Sequence, residues 1–204
     1  MYIPNYYKNE DIEEVRKFIE RHSFGILVNQ VAGKLWATHI PLEISQDKNG
    51  KDVLHGHISR GNFQWKAFEN NDSVLAIFSG AHTYISSSWY DHENVPTWNY
   101  IAVHIYGKIK IIEGEQLLDS LRKLLDKYEQ SSEKPISVEN MSKKYLEREM
   151  RGIVGFEIEI EEIQAKYKLS QNRDDTNHEN IVKELEKRGD ENSLIVAEEM
   201  RKHR

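Results

Sequence analysis

Residues able to do chemistry are concentrated in four stretches: Thr38-His39-Ile40-Pro41, His55 to Trp65, Ile77 to Tyr90, and Val95 to Tyr100. Three of the four tryptophans and six of the nine histidines lie inside or beside them, a mixture that ordinary surface loops do not require. Aromatic faces next to hydroxyl, amide and imidazole groups suit a planar, polar ligand that is both stacked and hydrogen-bonded. In the second stretch Arg60 offers a planar fork of donors to a phosphate, and Ser59 and Asn62 add short polar contacts. A helix starting near Phe63 would aim free backbone N–H groups at the same anion. The same residues also read as an ordinary helix cap beside a solvated arginine.

Ser86, Ser87 and Ser88 supply hydroxyls for a phosphate or a ring carbonyl, while Trp89 and Trp98 are stacking surfaces or core aromatics. Thr38 and His39 are neighbours in a strand, so they face opposite sides of it and do not touch a ligand from the same face. His55 and His57 share a strand face two residues apart, with His39, His82 and His104 as further metal-ligand candidates, but no nearby carboxylate completes a set and no protein-bound metal is expected. There is no G-x-S-x-G nucleophile elbow, no G-x-G-x-x-G and no G-x-x-x-x-G-K-[ST], which argues against a serine hydrolase of that type, a Rossmann site and a P-loop.

Composition narrows the chemistry further. With no cysteine in 204 residues, disulfides, thiolate metal sites and thiol nucleophiles are excluded, and any redox chemistry must come from a bound cofactor. The 28 basic and 34 acidic side chains leave a net charge of −6, which weighs against a surface that binds nucleic acid by charge alone. No apolar run approaches the roughly 20 residues of a membrane span, and Met1 to Glu10 lacks the pattern of a secretory signal, so a cytoplasmic protein is expected.

These residues must be positioned by a scaffold whose periodicity is legible. Apolar spacing predicts a helix over 10–22, then strands over 24–29, 34–44 and 53–59, a short helix over 63–70, strand pieces over 74–79 and 83–86, and a long strand over 99–112. Helices over 113–130 and 139–150 follow, then a strand over 153–163 and two tail helices over 176–187 and 191–202. The strand spacing suits a small barrel.

Taken together, Met1-Tyr2-Ile3-Pro4, Ala37-Thr38-His39-Ile40-Pro41-Leu42, Gly56-His57-Ile58-Ser59-Arg60-Gly61-Asn62, Gln64-Trp65, Tyr84-Ile85-Ser86, Ser88-Trp89-Tyr90, Val95-Pro96-Thr97-Trp98-Asn99-Tyr100 and Lys168-Leu169-Ser170-Gln171-Asn172-Arg173 resemble the PaiB-like FMN-binding proteins. That family, described as negative transcriptional regulators, belongs to the FMN-binding split-barrel superfamily with the pyridoxamine phosphate oxidases and flavin reductases. The resemblance implies an α+β fold, mainly β: a six-stranded Greek-key split barrel over residues 1–172, with a helical tail over 173–204 on the barrel or on a partner subunit. It also implies a homodimer with FMN at the subunit interface.

By the same resemblance, Ser59, Arg60, Asn62 and Trp65 would meet the phosphate and ribityl chain, with His57 in the same stretch, and Thr38 and His39 would lie along the isoalloxazine edge. Ser86 to Trp89 and Thr97, Trp98 and Asn99 would line the pocket, and Lys168, Ser170, Gln171 and Asn172 would close it from the partner. The chain departs from the family pattern where a proline is expected, reading Ser79-Gly80-Ala81-His82 and Ser86-Ser87-Ser88-Trp89. The expected function is flavin-dependent regulation, with DNA contact only weakly supported because no basic recognition helix is recognisable. A flavin-dependent oxidoreductase and a haem-binding or haem-degrading split barrel are the alternatives.

Overall fold

The structure, a computed structural model, describes residues 1–69 and 72–204. Seven strands form one sheet among the described residues: β1 (Phe24–Val31), β2 (Lys34–Pro41), β3 (Glu43–Gln46), β4 (Asp52–Ser59), β5 (Ser73–Ile85), β6 (Thr97–Ile112) and β7 (Ile153–Lys168), in the order β2-β1-β5-β6-β7-β4-β3. The β1/β2, β1/β5, β3/β4 and β4/β7 pairs are antiparallel. The resemblance implies six strands and the sheet has seven: the stretch expected over 34–44 is two strands, while the pieces expected over 74–79 and 83–86 are one. Pro41 has no N–H with which to extend a ladder, Leu42 is fully buried and donates its N–H to Ser23 O at 2.8 Å, and Glu43 then pairs with β4 opposite His55.

Turn chemistry fixes the first hairpin. Ala32 and Gly33 both have positive φ, 50° and 77°, the pair of left-handed residues that a two-residue hairpin loop demands. The strand pieces expected over 74–79 and 83–86 are one continuous β5, with Ser79 to His82 inside it rather than in a turn. Gly80 is there to admit an aromatic ring: a Cβ at this position would stand 2.7 Å from Phe18 Cε2. The helix expected over 63–70 is a short 3-10 turn, Phe63–Ala67, and its expected last residue, Asn70, lies outside the described residues.

Two compact units divide the chain. The central unit, Ile19–Ile77 and Ile105–Ile163, carries α2 (Gly114–Glu129) and α3 (Lys143–Arg151). Its interior includes Leu27, Leu42, Leu54, Phe68, Phe156 and Ile158, with the Phe68 and Phe156 rings meeting edge to face at 5.7 Å. Glu43 fastens α2 to β3 by accepting from Lys127 Nζ at 2.6 Å and from Tyr128 OH at 2.9 Å.

The terminal unit, Met1–Phe18, Phe78–His104 and Gln164–Arg204, carries most of α1 (Ile12–Arg21) together with α4 (Asp175–Arg188) and α5 (Glu191–Lys202). The two tail helices bury Ile181, Val182 and Leu185 of α4 and Val196, Ala197 and Met200 of α5. Gly189, at φ 72°, makes the left-handed turn between them, and Asp190 caps α5 by accepting from Ser193 N. The tail docks on its own chain: Thr83 and Ser193 hydroxyls meet at 3.1 Å, and Arg188 donates to Thr83 Oγ1 and Tyr84 O. No helix among the described residues is long and apolar enough to cross a membrane.

Candidate functional site

The polar stretches that lie in the central unit are joined by one hydrogen-bond chain. Thr38 projects from β2 toward the loop after β4, donating to Gln64 Oε1 at 2.5 Å and accepting from Asn62 Nδ2 at 2.9 Å. Asn62 in turn caps the 3-10 turn by accepting from Gln64 N, and Gln64, fully buried, donates to Leu27 O and Asn29 Oδ1. In the sequence Gln64 stands out only within the Gln64-Trp65 motif, with no role assigned, and Asn29 not at all. The signal available for Asn29 was a polar residue on the inward, alternating face of β1 with Leu27. His39 leaves the opposite side of β2, exposed, its ring 6.5 Å from Phe24.

Arg60 is held rather than free. Its Nε donates to Arg151 O and its Nη2 to Ile153 O, each at 2.9 Å, and its backbone N–H donates to Gly152 O at 2.8 Å. The loop from β4 is thereby clamped to the junction of α3 and β7. Trp65 closes the turn by donating Nε1 to Arg60 O at 3.0 Å, with the guanidinium 5.7 Å from its ring. What Arg60 retains for a ligand is Nη1, and Ser59, whose Oγ accepts from Gly61 N, keeps its hydroxyl proton to donate. A cavity of about 490 Å³ borders Arg60 and Trp65, with Glu69, Glu113 and Gln116 on its walls. Burial holds the half-buried His57 below the ordinary imidazole value, so it is neutral at neutral pH.

The remaining candidates lie in the terminal unit. Ser86 caps the 3-10 turn Ser87–Trp89, accepting from Ser88 N and meeting Ser88 Oγ at 2.8 Å. Trp89 lies under the Arg188 guanidinium at 4.7 Å. Trp98 is 52% exposed and packs beside His82 and Tyr84, and it borders an open cavity of about 370 Å³ with His82 and Tyr100 on its wall. Such a surface can stack a planar ring. Asn99 and Ser170 are buried and exchange hydrogen bonds with each other at 3.0 and 3.1 Å, and Gln171 folds onto Leu169 N and Tyr167 O. These three hold the turn after β7 in shape, which includes Ser170 at φ 63°. Asn172 is exposed and accepts from Tyr7 OH at 3.1 Å.

Lys168 is the exception in that turn. Its ammonium donates to Thr97 Oγ1 and to Trp98 O, and burial, with the charges of Lys166 and Arg173 added, pushes it below the ordinary lysine value. Lys166 is buried against the Tyr2 and Tyr100 rings, and Arg173 lies over Tyr90. Among the described residues no carboxylate is paired with any of these three cations, although the chain as a whole is acidic. Partly buried like charges without a counter-ion call for an anion. Cations, hydroxyls and exposed aromatic faces are the donor set that a phosphorylated flavin needs.

Comparisons with known proteins agree with this chemistry. Residues 1–162 match the profile of the family described as "Putative FMN-binding domain". The chain is 46% identical to the "Protease synthase and sporulation protein PAI 2" of Bacillus subtilis over 98% of its own length and 96% of that protein's. An uncharacterized protein of Emericella nidulans is 27% identical over 97% of this chain and 95% of its own. Among solved structures, the flavocytochrome Anf3 of Azotobacter vinelandii superimposes with a TM-score of 0.60 at 17% identity, covering 81% of this chain and 72% of that one, a likeness of split-barrel fold alone. With a family profile spanning most of its length and a relative so similar from end to end, the chain belongs to the PaiB-like family of FMN-binding split-barrel proteins, and its cofactor is FMN.

Proposed function

We propose that this protein is a flavin-dependent regulatory protein that works as a homodimer, with FMN held where two copies meet. The observation that carries the reading is the end-to-end similarity to the Bacillus subtilis protein, whose name ties it to protease synthesis and sporulation. The unpaired Lys166, Lys168 and Arg173 cluster supports an anionic group at that site. In the proposed dimer, Ser59, the Nη1 edge of Arg60, His57 and Asn62 of one protomer meet the phosphate and ribityl chain. Lys168, with Thr97, Asn172 and the Trp98 face, closes the site from the other protomer. The β2 backbone at Thr38 and His39 runs along the ring edge, their side chains leaving opposite sides of the strand, and Ser86, Ser87, Ser88 and Trp89 line the pocket. FMN supplies one- and two-electron redox chemistry when bound; the protein binds, orients and shields it.

Support for the dimer comes from β2, an edge strand whose residues from Lys34 to Ala37 are all exposed. Leu35 is 77% exposed near the hairpin turn, and Phe24, at the other end of the hairpin opposite Pro41, is 68% exposed. A second copy of the chain is the cover that a cofactor-bearing edge of this kind requires. Regulation by this reading runs through the flavin or through a protein partner, because a chain of net charge −6 has little to offer the phosphates of DNA.

The test is the visible spectrum of the gently purified protein together with its mass in solution. Flavin bands, or saturable uptake of added FMN, and a mass of two chains are expected. A colourless monomer that takes up no FMN overturns the reading. Tight, sequence-specific DNA binding by the purified protein would overturn the indirect route of regulation while leaving the flavin assignment standing.

A further inference from the structure

A second group of polar side chains lies in the central unit, outside the residues assigned to FMN. It is built across three strands that the sheet order makes neighbours, β3, β4 and β7. His55 and Glu157 are register partners in the β4/β7 pair, and His55 Nε2 is 3.0 Å from Glu157 Oε2. On the other side of the ring, His55 Nδ1 is 2.8 Å from Ser45 Oγ. The second carboxylate oxygen of Glu157 is held by Lys110 Nζ at 2.7 Å, so the carboxylate is fixed in place.

The protonation pattern follows from the donor inventory. An ionised carboxylate only accepts, so the His55 nitrogen facing Glu157 carries the proton and the Nδ1 lone pair accepts the Ser45 hydroxyl. Burial holds His55 below the ordinary imidazole value although Glu157 pulls the other way. Burial of Glu157 is outweighed by Lys110 and His55, which keep it below the ordinary glutamate value. At neutral pH the imidazole is therefore a neutral base with a hydroxyl on its lone pair and a carboxylate behind it. Ser45 and His55 also line a cavity of about 330 Å³ whose other charged and polar walls are Glu20, Glu43, Ser120, Lys123 and Lys127. Lys127 is ion-paired with Glu43, whereas Lys123 has no ion pair among the described residues, and its charge helps to hold His55 deprotonated.

We propose that Ser45, His55 and Glu157 form a flavin-independent acyl-transfer site in which Ser45 is the nucleophile toward small esters. Ser45 Oγ attacks the ester carbonyl carbon, and its proton passes to His55 Nδ1. The bond from that carbon to the alkoxide oxygen breaks, and His55 returns the proton to the departing oxygen. Water then attacks the acyl-serine in the same way, releasing the acid and restoring Ser45. Lys123 is the cation available to the developing oxyanion. Glu157 is a positioning residue that fixes the tautomer of His55.

The experiment treats the purified full-length protein, with its flavin, with a fluorophosphonate ester. Fluoride leaves, and peptide mass mapping should find the phosphonyl adduct on Ser45. Ser45→Ala should lose that adduct while keeping the wild-type flavin spectrum and melting temperature, and His55→Gln should slow labelling by about 100-fold or more. The wild-type labelling rate should rise with pH through a midpoint below 6.5, the ordinary imidazole value. Hydrolysis of p-nitrophenyl acetate should fall to the background rate in Ser45→Ala. No adduct on Ser45, or labelling of Ser45→Ala or His55→Gln at the wild-type rate, overturns the proposal.

Discussion

His203 Nε2 lies 3.0 Å from Glu14 Oε1, an ion pair that joins the end of α5 to α1. Glu199, one turn earlier on α5, is 3.4 Å from the same nitrogen. The contact with Glu199 raises His203 above its ordinary value of 6.5 against the effect of burial, with Glu14 adding to it. His203 in turn lowers Glu199, helped by Lys202, from 4.5 to about 2. Stability from the histidine is fully present below pH 6.5 and is lost as pH rises through its folded value. Stability from the glutamate is present above pH 4.5 and is lost as pH falls toward about 2. The tail clip is therefore strongest between these limits. His203→Ala should destabilise the fold most between pH 4.5 and 6.5, by on the order of 1 kcal/mol after allowance for solvent screening, and progressively less as pH rises above 6.5, which melting temperatures measured across pH check. A difference between the two proteins that does not change with pH would show that the charge of His203 is not what holds the tail.

Three glycines in strands should rank by what a methyl group would strike. A Cβ on Gly107 would lie 2.2 Å from Glu159 O, a backbone atom that cannot move without disturbing β7. On Gly80 it would meet the Phe18 ring at 2.7 Å, and on Gly56 the Phe156 ring at 2.6 Å, where side chains can give way. Gly80→Ala and Gly56→Ala should each cost about 1 to 3 kcal/mol in denaturant unfolding, the usual range for overpacking. Gly107→Ala should cost more than either or prevent folding, and equal costs at the three sites would refute the ranking.

The elements were legible in the sequence because periodicity is local, and the family was legible because Thr38-His39-Ile40-Pro41, Ser59-Arg60-Gly61-Asn62 and Pro96-Thr97-Trp98-Asn99 recur in order. Roles were less so. Arg60 reads as a phosphate clamp, yet two of its donors go to the carbonyls of Arg151 and Ile153, about ninety residues away in the chain. Asn99 and Ser170 read as ligand contacts, yet each satisfies the other. Gly80 reads as part of a turn until Phe18 is placed against it. In each case the deciding partner is distant in sequence, which no local pattern reports. His55 and Glu157 were likewise separable only after the β4/β7 register was known.

The exposed edge of the central unit makes a prediction about assembly. Leu35→Glu puts a charge on β2 where its side chain is 77% exposed, so the folded monomer should tolerate it with little loss of stability. In a dimer formed through this edge the same charge would be desolvated. Light scattering should show one chain for the variant and two for the wild type, and the variant should lose its flavin on gel filtration. A variant that stays dimeric would place the interface elsewhere on the molecule.

Comparing FMN with riboflavin, which lacks the phosphate, separates the roles of Lys168 and Arg60. Lys168 is held below the ordinary lysine value by burial and by Lys166 and Arg173, so an anion beside it relieves an unfavourable arrangement. Lys168→Ala should weaken FMN binding by roughly 10- to 100-fold, the worth of a charge-assisted hydrogen bond, and change riboflavin binding little. Arg60 has Nε and Nη2 engaged with backbone carbonyls, so Arg60→Ala also releases the loop that carries Ser59 and Asn62. That variant should weaken both ligands and melt earlier than the wild type, with the larger loss for FMN if Nη1 meets the phosphate. Equal losses of FMN and riboflavin in Lys168→Ala would remove Lys168 from the phosphate site. Equal losses in Arg60→Ala would leave Arg60 as the clamp between the β4 loop and β7 and nothing more.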